Sequence, residues 1–226
     1  MTAEVLKFPP QLSPAGAGRS RDEAKAPSGR KGSAARKFFE IDQVNQTSAG
    51  GWKLINDEQV FSRGGLVFFP PEGRRGFREY PVTPLFLLDS KIGRAIRDIE
   101  RIHGYWLISE KAKAVFSDID PEAFAYLECL TQLRDGSEGP RYWLCDVVRE
   151  LDCIDEAASN TNVGYNAYGK FYYFDTIEKK ISFKENIVVG SRIFRPKFAR
   201  DFIVCDESLK TACKAAGVVG FRFIKL

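Results

Sequence analysis

The sequence predicts an α+β fold: a mixed, mainly antiparallel sheet with a few short helices, preceded by a disordered N-terminal tail. Three observations carry this expectation. Short apolar runs bounded by Gly and Pro recur along the chain and read as strands. Helical patterns are few and do not alternate strictly with those runs, which argues against a doubly wound parallel sheet. The first 37 residues differ sharply in composition from everything after them.

That first stretch, with "PPQLSPAGAGRSRDEAKAPSGRKGSAARK", is rich in Pro, Gly, Ser and Ala and has no aromatic residue between Phe8 and Phe38. It has too little apolar surface to offset the entropy of ordering, so residues 1–37 are expected to form a disordered basic tail. Residues 38–226 are expected to form a single α+β domain. "KFFEI" opens it as a strand, and "GWKLI" and "LVFFPP" follow as short strands punctuated by Gly and Pro. The prolines of "PVTPLFLLD" make it extended. In "DSKIGRAIRDIERIHG", Ile92, Ile96, Ile99 and Ile102 share a three-and-four spacing, which predicts a helix capped at Asp89 or Ser90 and stopped at Gly104.

Next, "YWLI" is a strand, and Ser109 is placed to cap a helix from Glu110 to about Phe116. The same device returns near the C-terminus: the strand of "FIVCD", Asp206 as N-cap, Glu207 in the first turn, and Gly217 as the stop before "VVGFRFIKL". The two copies lie too far apart for a solenoid repeat, so they read as a recurrent packing unit. Between them, "AYLECLTQL" and "RYWLCDVV" flank "RDGSEGP" as a hairpin with a long turn, one strand face apolar and the other mixed. "CIDEAAS" is expected to make one helical turn, "YNAYGKFYYFD" and "KISF" a second hairpin, and "SRIFRP" a strand leading into the last unit.

The chain has 226 residues, 44% hydrophobic and 13% aromatic, enough for one substantial core. Its net charge of +4 sits in the tail, which holds eight basic residues against three acidic ones, so the rest is close to neutral. The overall basicity therefore gives little support to nucleic-acid binding, which would have to act through the tail. Five cysteines, an odd number without a C-x-x-C, and a single histidine argue against a zinc site and for reduced, buried thiols. No run reaches the length of a membrane span and no secretory leader is recognisable, so a cytoplasmic protein without cofactor, metal or membrane contact is expected.

No phosphate loop, dinucleotide glycine pattern or nucleophile elbow is present. His103 with Cys145 or Cys153 and nearby carboxylates is the one arrangement from which an enzyme could be built. Its position before Gly104 instead suits a role at a helix C-terminus. The acidic run "CDVVRELDCIDEAAS" holds Asp146, Glu150, Asp152, Asp155 and Glu156 against Arg149. These five acids read first as a solvated face and turn, and beyond that as a docking surface for a basic partner. Their spacing fits no calcium loop.

"RDIERIHGYWLISEKAKAVFSDIDPEAF", "YWLCDVVRELDCIDEAAS", "SRIFRP" and "FIVCDESLKTACKAAGVVGFRF" together, over about residues 50–226, resemble a bacterial polymorphic-toxin immunity protein family, the myxobacterial-type immunity domain also catalogued as a domain of unknown function. The resemblance implies a non-enzymatic antitoxin that binds and neutralises a cognate secreted toxin encoded nearby, such as a nuclease, by occlusion. It carries over no catalytic residue, and the basic tail lies outside it.

Overall fold

The computed structural model describes residues 36–43, 50–61, 68–167, 169–174, 179–199 and 202–226. Along the chain run β1 (Phe38–Gln43), β2 (Trp52–Leu54), α1 (Asp57–Val60), β3 (Leu85–Leu88), β4 (Ile99–Ile102), β5 (Tyr105–Ser109) and α2 (Glu110–Ile119). They are followed by β6 (Phe124–Leu133), β7 (Tyr142–Val147), β8 (Glu150–Leu151), β9 (Thr161–Asn166) and β10 (Gly169–Phe174). The last elements are α3 (Glu185–Val188), β11 (Ile193–Pro196), β12 (Val204–Asp206), α4 (Glu207–Ala215) and β13 (Phe221–Lys225). The fold is mixed α+β, as the sequence predicts.

Two sheets dominate. One has the order β2-β3-β6-β7-β5-β4 and is antiparallel except where β3 meets β6. The other has the order β13-β1-β12-β11-β8 and is antiparallel except where β11 meets β8. β9 and β10 form a separate hairpin.

Strand alternation explains how both sheets bury two faces. In β5, Trp106 and Ile108 join a core cluster with Trp143 and Cys145 of β7, while Tyr105 and Leu107 join another with Tyr142 and Leu144. The first cluster also takes Phe39 and Ile41 from β1, Ile193 from β11 and Cys205 from β12, so both sheets share it. A further cluster uses the alternate residues Phe38 and Val204 with Phe194 and Tyr172.

The twin strand–cap–helix units line the shared core. The Ser109 hydroxyl accepts the Ala112 N–H at 3.3 Å. The Asp206 carboxylate accepts the N–H groups of Ser208 at 2.9 Å and Leu209 at 3.2 Å. α2 and α4 pack on each other and bury Ala112, Phe116, Leu209 and Cys213 in one cluster.

Four expectations are corrected. Residues 89–104 are not a helix: Ile99–Ile102 form β4, Ile92 is exposed, and His103–Gly104 is the turn into β5. Isoleucine is β-branched, and pairing of Ile99 with Ile108 and of Ile102 with Tyr105 gives two of the four isoleucines a better-buried place than one helical stripe. Buried Glu100 secures the bend, held by both terminal guanidinium nitrogens of Arg94 at 2.5 and 2.6 Å and by the Arg97 N–H at 2.9 Å. The strand paired with β10 is Thr161–Asn166, not "KISF": Asn166 faces Gly169 and Thr161 faces Phe174, partners only a few residues apart, whereas Phe183 makes an isolated bridge to Ile154. "CIDEAAS" is a turn in which the Asp155 carboxylate accepts the N–H groups of Ala157 and Ala158 at 3.1 and 3.3 Å. Of "LVFFPP", residues 68–71 are irregular and the rest lies outside the described residues.

The tail reading falls outside the described residues except for Arg36 and Lys37. Arg36 donates to the carbonyls of Val188 and Ser191 and to Asp206, and Lys37 reaches Glu207 at 3.3 Å.

Candidate partner-binding cleft

A cleft of about 570 Å³ opens where the ends of the two sheets meet the β9–β10 hairpin. Five separate stretches of chain line it: the Phe69–Arg75 segment, the β4–β5 turn, β8, the hairpin, and the end of β11 with the residues beyond it. Arg75, Arg101, Lys170 and Arg195 contribute cations and Glu150 the one carboxylate among the described lining residues. Phe69, Phe171 and Phe198 supply aromatic walls.

The basic lining is ordered from beneath. β7 alternation sends Asp146 to the same face as Tyr142 and Leu144, where residues 68–80 cover it. The Asp146 carboxylate is fully buried there and pairs with Arg75 and, at 3.4 Å, with Arg195. It also accepts the Gly76 N–H at 2.8 Å, and the Tyr105 hydroxyl donates to the Gly76 carbonyl at 2.8 Å. Arg195 Nε donates to the Val147 carbonyl at 2.9 Å. One buried carboxylate thus holds two guanidinium groups at the cleft, a pre-organised arrangement that an exposed side chain does not have.

The backbone is strained at the same place. Among the described residues, His103 and Phe198 are the two non-glycine residues with positive φ, 53° and 68°, and both line the cleft. A bulky residue in the left-handed region is unfavourable by about 1–3 kcal/mol, and such outliers concentrate at functional sites. Each is pinned. His103 Nδ1 accepts the Phe68 N–H at 3.2 Å, Arg101 Nε donates to the His103 carbonyl at 3.2 Å, and the Phe198 carbonyl accepts the Tyr172 N–H at 3.0 Å. Gly104 fits tightly against this wall, since a Cβ there would lie 3.3 Å from Phe68 O, Phe69 and Pro70. Burial lowers the His103 pKa, and a ring whose Nδ1 accepts a hydrogen bond is neutral with its proton on Nε2.

The acids singled out in the sequence separate. Asp146 is interior, so its reading as a surface group for a partner is corrected: the 68–80 segment covers a strand face that looked mixed. Glu150 lines the cleft. Glu156 accepts from Lys170 and from the Tyr172 hydroxyl, the latter at 2.7 Å, which lowers its pKa. Asp155 caps its turn, and Asp152 is exposed with Lys184 at 3.9 Å. The His103–Cys145 pair does not assemble. Cys145 is buried beside Trp106 and Trp143, whereas His103 packs near Phe68 of a different cluster. Desolvation pushes the Cys145 thiol far up, and Cys153 up to about 12. Among the described residues no group of three or more His, Cys, Asp or Glu side chains could hold a metal ion, and no helix is long and apolar enough to cross a membrane.

The model of the Immunity protein family (Imm11) matches residues 37–226. The chain belongs to the Imm11 immunity protein family. No curated protein matches it. The Imm11 match covers both sheets, both capped helices and every residue of the cleft named above, and leaves out nearly all of the basic tail. Phe69, Arg75, Lys170, Phe171 and Phe198 lie outside the stretches that carry the family resemblance, and Arg101, within "RDIERIHG", was given no role there. The nearest signal was the "SRIFRP" stretch, which contains Arg195.

Proposed function

We propose that this Imm11 chain is an antidote that binds a bacterial toxin in the cytoplasm and blocks it by occlusion, with no chemistry of its own. The match to an immunity family over residues 37–226 carries the reading. The cleft supports it: arginines and aromatics around a pre-ordered hollow are the residue types that dominate binding energy at protein interfaces. A standard interface covers about 800 Å² on each partner, so the toxin would engage the cleft together with its rim. Exposed Phe69 and Tyr165 supply apolar anchors beside it.

The test is co-expression with the product of a neighbouring toxin-like reading frame, scoring survival and co-purification. An occluding antidote restores growth, forms a stable complex, and abolishes toxin activity at equimolar amounts. Rescue without a complex, at far less than one antidote per toxin, would instead indicate enzymatic inactivation. Toxicity without rescue or binding would remove that toxin as the partner.

A further inference from the structure

Taking the chain as an occluding antidote, we infer that His103 is a proton-operated latch on the cleft: the neutral ring holds the 68–70 wall in place for the toxin, and the protonated ring releases both. The latch is a hydrogen bond of fixed polarity. His103 Nδ1 accepts the Phe68 N–H at 3.2 Å, and the Gly104 N–H donates back to the Phe68 carbonyl at 3.1 Å. Protonation turns Nδ1 into a donor, so two N–H groups would oppose each other. Turning the ring over gives no relief, because it sets a ring carbon, not an acceptor, against the Phe68 N–H. The proton has a way in, since His103 is exposed over part of its surface while Phe68 is fully buried. The effect reaches the cleft because Phe69 and Pro70, which line it, follow Phe68 directly. Farther along, Arg75 and Gly76 are tied to Asp146. With the latch open, the Gly104 bond is the one backbone hydrogen bond left at Phe68 among the described residues.

His103 lines both the cleft and a smaller hollow of about 70 Å³ that shares Arg101, Gly104 and Arg195 with it. Glu40 and Asp42 of β1 and Glu150 of β8 favour a protonated ring, whereas Arg75, Arg101, Lys170 and Arg195 oppose it. Tyr105 is a neutral donor to the Gly76 carbonyl. Both signs of charge are present, and the latch works through the polarity of one bond, not through their sum. Burial lowers the pKa of the ring, which keeps it neutral and latched at neutral pH.

The first experiment is an NMR pH titration of the free full chain. His103 is the one histidine of the sequence, so its ring signal is unambiguous. The Phe68 amide is expected to shift and lose exchange protection with the same midpoint as the ring, below about pH 6.5. His103→Asn should show neither change. Asn tolerates the left-handed backbone of this position, φ 53°, and its side-chain oxygen takes the place of Nδ1 and accepts without titrating. A Phe68 amide that stays protected while the ring titrates overturns the latch. The second experiment measures affinity for the purified neighbouring toxin, each protein compared with itself at about pH 7.5 and at one pH unit below the ring's midpoint. The wild type is expected to lose about fivefold or more, about tenfold being the limit for one group that must be neutral, and His103→Asn to change by less than about twofold. A loss in the wild type no larger than in the variant overturns the inference and leaves the antidote reading standing. No binding by the wild type at pH 7.5 means that the antidote reading fails for that pair, and the titration of the free chain still decides the latch.

Discussion

Asp146 and Asp152 belong to one acidic run, yet the fold uses them in opposite ways. Asp146 is sealed under residues 68–80 with two arginines and a backbone N–H around it. Asp152 is more than half exposed and has only a distant lysine. The difference teaches that sign and spacing of charge do not decide a role; coverage of the strand face does. A buried carboxylate must be fully partnered to be tolerated, and its partners are thereby fixed in place. The exposed acid is screened, and holds nothing.

The largest effect should follow from removing the interior charge. Asp146→Ala removes the carboxylate that Arg75, Arg195 and the Gly76 N–H share and should reduce stability by about 3–5 kcal/mol in urea unfolding. A loss close to that of Asp152→Lys would end the contrast. The two helix caps sharpen it at smaller scale. Asp206 accepts two backbone N–H groups and, on its other oxygen, Arg36 at 3.2 Å and Arg192 at 2.9 Å, whereas Ser109 accepts one N–H and donates to Asp98. Asp206→Ala should therefore remove about 2 kcal/mol and Ser109→Ala about 1 kcal/mol. Equal losses would mean that the extra partners of Asp206 contribute nothing.

The next effect is a pH dependence. The folded-state pKa of His103 is lowered, so between that value and about 6.5 the unfolded chain binds more protons than the folded one. Its contribution is fully present above pH 6.5 and is lost as pH falls through that window. Protonation also removes the acceptor for the Phe68 N–H on the cleft wall. The slope of unfolding free energy against pH should be positive there and flatter in His103→Asn, as measured by denaturation at a series of pH values. The smallest effect is that of Asp152→Lys, expected to change stability by no more than about 0.5 kcal/mol.

Local signals were legible where residues answer to their neighbours. The caps at Ser109 and Asp206, the long-turn hairpin of β6 and β7, and the mixed fold class all rest on short-range rules. The failed helix at 89–104 shows the limit of such rules. A three-and-four spacing of isoleucines cannot report that β5 offers a better partner. The cleft was not legible, because its five segments meet only in the tertiary structure. Nor does the sequence announce that Phe198 adopts a left-handed backbone, or that residues 68–80 will cover Asp146. The immunity-family resemblance was legible through the order of several fragments, and those fragments map mostly onto strands and caps, not onto the binding residues.

Hydrogen–deuterium exchange of the full chain, free and in complex with its toxin, tests most directly whether the cleft is the docking face. The account predicts new protection in the Phe69–Gly76 segment, the β4–β5 turn, β10 and the residues following β11, with little change in α2 and α4. Protection confined to the 152–158 turn or to the two helices, with the cleft exchanging as in the free protein, would contradict it.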